Sequence, residues 1–431
     1  MTNIGSILGV IILLLFSFVI SYWEKKKFGM IITPFSMMAW PYVIVVTLIN
    51  LGGVFFGFFP VNLKSILFVI GCLIFFQAGG IIIQQFFPST VIRKESVNIK
   101  SWNVDYFFNY YRPLFVSLAI ISICAGFINL FQAIKTAGGW LAIASSDFEE
   151  AYGKGLLAHI MTINRAAFLF LCADYLHKKR TSILMLLILI FITVLVLQIK
   201  NHIITLLIGG LLFAYLFNLI KFNLKKIIIY AVLIYLMFNI SYGIGFSKIG
   251  ISNAYSSKVQ LYLLSHFFTY LFGGPIGFSE ILQNPVYPLY TYKEVFAVIV
   301  NIYNALSGDK NVVDVIFNQW IPVSSIYKYF HSSNVFTMFG MLYMYIGLYG
   351  TYLYLFFLGI ISYWLRCLAL KDNFSVGWKL LYAFLLSYLT LSFFGLFFNT
   401  LLIYEAFFFM LILPKLYQLC RYLFAEISQY V

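Results

Sequence analysis

Charge is what this sequence lacks. Only 10% of its 431 residues are Asp, Glu, Lys or Arg, whereas a soluble domain carries about a quarter. That shortage excludes an ordinary cytosolic enzyme, a nucleic-acid binder and a disordered chain. Acidic residues are the scarcer kind, 14 against 28 basic ones, for a net charge of +14. Cysteine is scarce as well. Cys72 and Cys124 fall inside apolar runs, and Cys172, Cys367 and Cys420 fall near the inner ends of such runs. No pair has zinc-ligand spacing and none lies in a long outer loop, so neither a metal site nor a disulfide framework is expected. Other signatures are absent too. There is no Gly-x-x-x-x-Gly-Lys loop, no Gly-x-Ser-x-Gly elbow and no His-Glu-x-x-His, so no nucleotide-driven, serine-hydrolase or zinc-protease chemistry is indicated, and no cofactor is implied.

What is present in quantity is apolar surface. The chain is 62% hydrophobic, and long apolar runs fall near 4–22, 33–58, 63–83, 114–134, 156–176, 181–199, 202–220, 227–246, 338–365, 376–396 and 398–417. A spanning helix needs about 20 apolar residues, a spanning strand only about 10 alternating ones. The runs therefore predict an all-α polytopic membrane protein with about 11 (10–12) transmembrane helices. The first run is followed by Glu24-Lys25-Lys26-Lys27 without a small-residue cleavage site, so it reads as a retained span rather than a signal peptide.

Basic clusters set the orientation. Lys25–Lys27, Arg93/Lys94/Lys100/Arg112, Lys178–Arg180, Lys221/Lys225/Lys226 and Arg366/Lys371/Lys379 follow every second span, and together with Lys415 and Arg421 they hold 18 of the 28 basic residues. Placing them inside puts the N-terminus outside and the C-terminus inside. The chain then divides into residues 1–246, with spans one to eight and an outer loop near 135–156; residues 247–335, a large outer loop; and residues 336–431, with spans nine to eleven. The large loop holds Pro275, Pro285, Pro288 and Pro322, with helix-like stretches at Val259–Leu271 and Tyr292–Leu306. Its aromatic, amphipathic character suits a cap at the membrane–water boundary. No internal repeat is visible, which argues against an inverted-repeat transporter.

Ionisable residues at membrane depth are costly and are site candidates by default. Arg165 lies about ten residues into the run 156–176 and is the one arginine outside the basic clusters. It reads as a planar fork for phosphate oxygens or as a structural pair with a buried acceptor. Lys200-Asn201-His202 separates two apolar runs, as an outward-facing cation and imidazole or as a tight polar turn with a snorkelling lysine. Lys258, Tyr262 and His266 recur every four residues and share one helix face, suited to a sugar or phosphate or simply to solvent. Gly273-Gly274-Pro275-Ile276-Gly277-Phe278-Ser279-Glu280 reads as a turn leading into a short apolar stretch, with Glu280 as a lone carboxylate for general-base work or an acid at a helix start. In His331-Ser332-Ser333-Asn334-Val335-Phe336-Thr337, capping by Ser332, Ser333 or Asn334 is expected, and His331 is a further base candidate. Asp147-Phe148-Glu149-Glu150 reads as oxygen ligands for a divalent cation or, more often for such a cluster, as a solvated acidic surface.

These residues carry a resemblance. Tyr270-Leu271-Phe272-Gly273-Gly274-Pro275-Ile276-Gly277-Phe278, then Asn334-Val335-Phe336-Thr337, then Gly347-Leu348-Tyr349-Gly350 at the start of a span look like the Wzy-type oligosaccharide repeat unit polymerases of O-antigen and capsule. The resemblance covers mainly residues 255–360. It departs where such polymerases often carry an arginine in a Gly-x-Arg-like turn, since Lys200-Asn201-His202 stands there. What it implies is a GT-C-like glycosyltransferase of the bacterial inner membrane, its site facing the periplasm. The growing glycan on undecaprenyl pyrophosphate would pass to a new lipid-linked repeat unit, in company with a flippase and a chain-length regulator. In that reading Arg165, Lys200 and Lys258 hold the pyrophosphate. Glu280, His202, His266 or His331 takes the proton of the attacking hydroxyl. Tyr262, Tyr270, Asn334 and Thr337 contact sugars. An O-antigen ligase and a flippase for lipid-linked glycans are the alternatives.

Overall fold

The computed structural model describes residues 4–87, 104–140, 145–197, 199–221, 257–284, 292–309, 311–315, 320–325, 332–371 and 375–430, with isolated positions between 229 and 239. Among them, the chain begins with α1 (Ile4–Phe28), α2 (Pro34–Leu51), α3 (Leu63–Phe86), α4 (Val104–Thr136), α5 (Ser146–Ala151), α6 (Gly155–Met161) and α7 (Asn164–Lys178). It continues through α8 (Thr181–Val196), α9 (Lys200–Leu216), α10 (Ser257–Gln283), α11 (Ala297–Ser307), α12 (Met338–Lys371), α13 (Val376–Thr390) and α14 (Leu401–Tyr430). The only paired strands among the described residues are two short ones, Ile321–Pro322 and Ser332–Ser333, antiparallel to each other.

Among the described residues, seven stretches are long and apolar enough to cross a membrane: Ile4–Phe28, Pro34–Leu51, Leu63–Phe86, Val104–Thr136, Gly155–Lys178, Met338–Lys371 and Leu401–Ala425. The protein is thus an all-helical, multi-pass membrane protein. The expected runs at 181–199, 202–220 and 376–396 become α8, α9 and α13, apolar helices shorter than these seven. The run 227–246 lies almost wholly outside the described residues.

The chain forms two compact units that interleave along the sequence. One comprises Met1–Val97, Leu261–Lys371 and Tyr388–Leu401; the other comprises Asn98–Gln260, Asp372–Ser387 and Leu402–Val431. Each is described by itself.

In the first unit, α3 and α12 approach backbone to backbone. A Cβ built on Gly79 would stand 2.1 Å from the Phe356 carbonyl oxygen, and one on Gly359 would stand 2.0 Å from that of Phe76. Small residues in these positions let apolar helices gain dispersion contact that larger side chains would prevent. Local signals start the neighbouring helices. Thr33 and Ser36 form a capping box at α2, with Pro34 in its first turn, and Asn62 caps α3 through the Ser65 amide at 2.8 Å. Helix α12 breaks at Gly347 (φ 69°, ψ −170°), a conformation essentially restricted to glycine.

Glu24 departs from the lysines that follow it in the sequence. It is fully buried. Thr33 Oγ1 and Tyr363 Oη donate to it, as does Gln77 Nε2 at 3.2 Å. Arg366, assigned by its charge to an inner loop, is 1% exposed and lies over the Phe28 ring at 4.0 Å. A buried carboxylate persists only when hydrogen-bonded this fully.

In the second unit, α4 packs along α6, α7 and α8. Phe115 of α4 stacks on Phe170 of α7, ring centroids 4.2 Å apart. Gly209 and Gly210 of α9 sit against Leu169 and Cys172 of α7. Arg112, also assigned by its charge to an inner loop, instead lies within α4. It grips Asp174 of α7 with two parallel hydrogen bonds of 2.7 and 2.8 Å.

Candidate functional site

The stretch that carries Arg165 is helical without interruption of direction. Between α6 and α7, Thr162 (φ −62°, ψ −25°) and Ile163 (φ −59°, ψ −26°) keep helical backbone angles. His159, Thr162 and Arg165 therefore follow one another as an i, i+3, i+6 row along a single ridge.

Arg165 is 3% exposed. Its Nη1 donates to Asn164 Oδ1 at 3.0 Å, and its Nη2 stands 3.4 Å from His202 Nδ1 at the start of α9. Asn164 and His202 thus orient the guanidinium. Asn164 is itself buried, and its amide nitrogen finds no hydrogen-bond partner among the described residues; the same holds for Asn201 Oδ1 one residue before His202. Buried polar atoms are paired in the great majority of cases, so two orphans beside a buried cation mark a place for a polar ligand. A fork of N–H donors with an adjacent amide N–H matches the oxygens of a phosphate or pyrophosphate.

The other end of the ridge holds a second arrangement. Glu405 of α14 receives Thr162 Oγ1 on one oxygen at 3.2 Å, and its other oxygen stands 2.5 Å from His159 Nδ1. Of the pair, the His159 side chain is the more open, 51% exposed against 21% for Glu405. The sequence reading passed over both residues. One signal was available: Glu405 is the sole acid in the apolar run 398–417, and such a residue is a site candidate on cost alone.

The remaining sequence candidates distribute as follows. Lys200 opens α9 and Lys258 lies in the first turn of α10. Tyr262, His266 and Tyr270 do share a face of α10, as a ladder of rings. Tyr262 and His266 stack at 5.9 Å, His266 meets Tyr270 edge to face at 4.9 Å, and Tyr270 stacks on Phe394 at 6.2 Å. These residues, with Glu280, Asn334 and Thr337, belong to the first unit; Arg165 and His202 belong to the second. His331 lies outside the described residues.

Two local expectations are overturned. The segment from Gly273 to Glu280 is not a turn: α10 runs through it. Its glycines serve close packing, because a Cβ would meet Ser333 Oγ at 2.3 Å from Gly273 and the Phe393 carbonyl oxygen at 2.5 Å from Gly274. Glu280 accordingly sits inside the helix and not at its start, and partial burial pushes its carboxyl above the ordinary range. The cap of α12 is Thr337, whose Oγ1 accepts the Gly340 amide at 2.9 Å. Ser332 and Ser333 are instead taken up by the short strand pair, and Asn334 is partly exposed.

No match to this chain was found among curated proteins or among solved structures. One family model does match, over residues 57–423, and on that span the chain belongs to the family of unknown function DUF6337.

Proposed function

We propose that the protein is a membrane glycosyltransferase that polymerises lipid-linked oligosaccharide repeat units. The growing glycan leaves undecaprenyl pyrophosphate and joins the next unit, at the outer face of a bacterial inner membrane. One observation carries the reading: a buried Arg165, oriented by Asn164 and His202, beside an amide nitrogen that finds no partner among the described residues. In this reaction an acceptor hydroxyl attacks the anomeric carbon of the donor's first sugar, and negative charge develops on the departing pyrophosphate. A fixed guanidinium at that point lowers the barrier because it needs no reorganisation as the charge grows. The multi-pass helical architecture supplies lipid access for the carrier, and the ladder Tyr262–His266–Tyr270 offers ring faces and hydroxyls of the sort that bind sugars.

The deciding experiment is a gel of surface polysaccharide from a deletion strain, with and without the gene restored. Collapse of the ladder to a single repeat unit supports a polymerase. Free lipid-linked polymer with none at the surface supports a ligase.

A carrier that flips lipid-linked glycans is the second reading, and Glu24 favours it. An intramembrane carboxylate buried among α1, α3 and α12 is the kind of group that transport pathways use. Loss of all surface repeat units in the deletion strain would support it.

A further inference from the structure

We propose that His159 is the general base of the transfer reaction and that Glu405 and Thr162 are its positioning residues; the inference rests on the polymerase reading above. The geometry is that of an oriented imidazole. The Glu405 carboxylate stands 2.5 Å from Nδ1, which fixes the proton on that nitrogen and leaves the Nε2 lone pair for an incoming donor. The second carboxylate oxygen is held by Thr162 Oγ1 at 3.2 Å, so the acid is anchored to the same ridge as the histidine it orients. His159 is the open member of the pair, as a group that meets substrate must be.

Position along the ridge adds a second argument. His159 precedes Arg165 by six residues, about 9 Å of helix rise. A sugar pyrophosphate is long enough to lie along it, with its phosphates at Arg165 and its anomeric carbon toward His159. In the step, Nε2 takes the proton of the acceptor hydroxyl while that oxygen bonds to the anomeric carbon. The bond from the anomeric carbon to the phosphate oxygen breaks, and its electron pair leaves with undecaprenyl pyrophosphate. The imidazolium then returns its proton to water. No oxidant, metal or further reactant enters the balance.

The test uses the full chain in lipid nanodiscs, with the lipid-linked repeat unit extracted from the deletion strain as both donor and acceptor. His159→Ala and His159→Gln are expected to lower kcat about 100-fold or more with KM little changed. Glu405→Gln is expected to lower it about tenfold, since it weakens orientation and leaves the base in place. Millimolar imidazole is expected to restore elongation to His159→Gly, which a purely structural role would not allow. His177→Ala removes a second histidine–carboxylate pair of the same unit, with Asp105 at 2.6 Å, and is expected to keep parental turnover. Should His159→Ala misfold, His159→Gln retains an N–H for Glu405 and gives the same reading. Full turnover in either variant, or a folded His159→Gly that imidazole does not rescue, overturns the assignment while the polymerase reading stands. A parental chain that elongates nothing overturns both.

Discussion

The Arg165 guanidinium and the His202 imidazole meet at 3.4 Å, Nη2 to Nδ1, and Asn164 Oδ1 accepts from the other arm of the fork. If Arg165 holds the pyrophosphate as proposed, removing the cation should weaken that binding while leaving the helices in place. Arg165→Ala is expected to abolish long-chain polymer, a loss of at least about 100-fold, with normal amounts of protein in the membrane fraction. Arg165→Lys keeps the charge but loses the fork and should retain short chains only. A gel of surface polysaccharide beside an immunoblot of membranes reads both. Long chains from Arg165→Ala would remove the residue from the mechanism.

The α3–α12 contact leaves no room for a side chain. Gly79→Val and Gly359→Val each place atoms about 2 Å from a backbone carbonyl, and rigid backbone cannot yield cheaply. Each should destabilise the first unit by about 1–3 kcal/mol or more, seen as a lower midpoint of thermal unfolding in detergent. Gly71→Ala is the contrast. Its Cβ would meet the far end of the Tyr352 side chain at 2.6 Å, which can swing aside, so its midpoint should fall much less.

The Arg112–Asp174 pair stabilises the second unit because neither charge can be left alone. The Asp174 side chain is 0% exposed. Asp174→Asn is expected to cost about 3–5 kcal/mol, whereas an apolar double replacement, Arg112→Met with Asp174→Leu, should recover most of that loss. Unfolding midpoints of Asp174→Asn, and of Arg112→Met, Asp174→Leu and their double variant as a cycle, check this.

Glu280 makes stability depend on pH. Burial raises its folded-state carboxyl above the unfolded value, so the folded chain binds the proton more tightly than the unfolded chain does. Stability therefore falls as pH rises from the ordinary carboxylate value through the raised one, and stays lower above it. Glu280→Gln should unfold about 2 °C later than the parent at pH 7.5 and at the same temperature at pH 4. Equal midpoints at pH 7.5 would contradict the burial argument. Turnover in the same variant separately tests Glu280 as a proton acceptor.

The long apolar runs were legible because length and hydropathy are local quantities: the runs near 4–22, 63–83 and 338–365 become α1, α3 and α12. The Tyr262–His266 face was legible for the same reason, since helical spacing is a property of one segment. Gly273–Gly277 was misread because turn chemistry and close packing use the same residue. The atoms that require glycine there belong to Ser333, Phe336 and Phe393, all distant in the sequence. The His159–Glu405 pair was invisible for a related reason, its partners being 246 positions apart. Glu24 was read with the lysines beside it, although its hydrogen-bond partners come from Thr33, Gln77 and Tyr363.

The break at Gly347 divides the work of α12. After it, residues 348–371 rise about 36 Å, which by itself exceeds a hydrocarbon core of about 30 Å. The nine residues before it, 338–346, add about 13 Å that crossing does not require. That leading stub, buried over most of its length, takes its heading from Gly347's torsions and from the helices it packs on instead of from the bilayer. With Thr337 capping its first turn and Gly347 ending its last, it behaves as a separate short rod whose tilt no lipid thickness dictates.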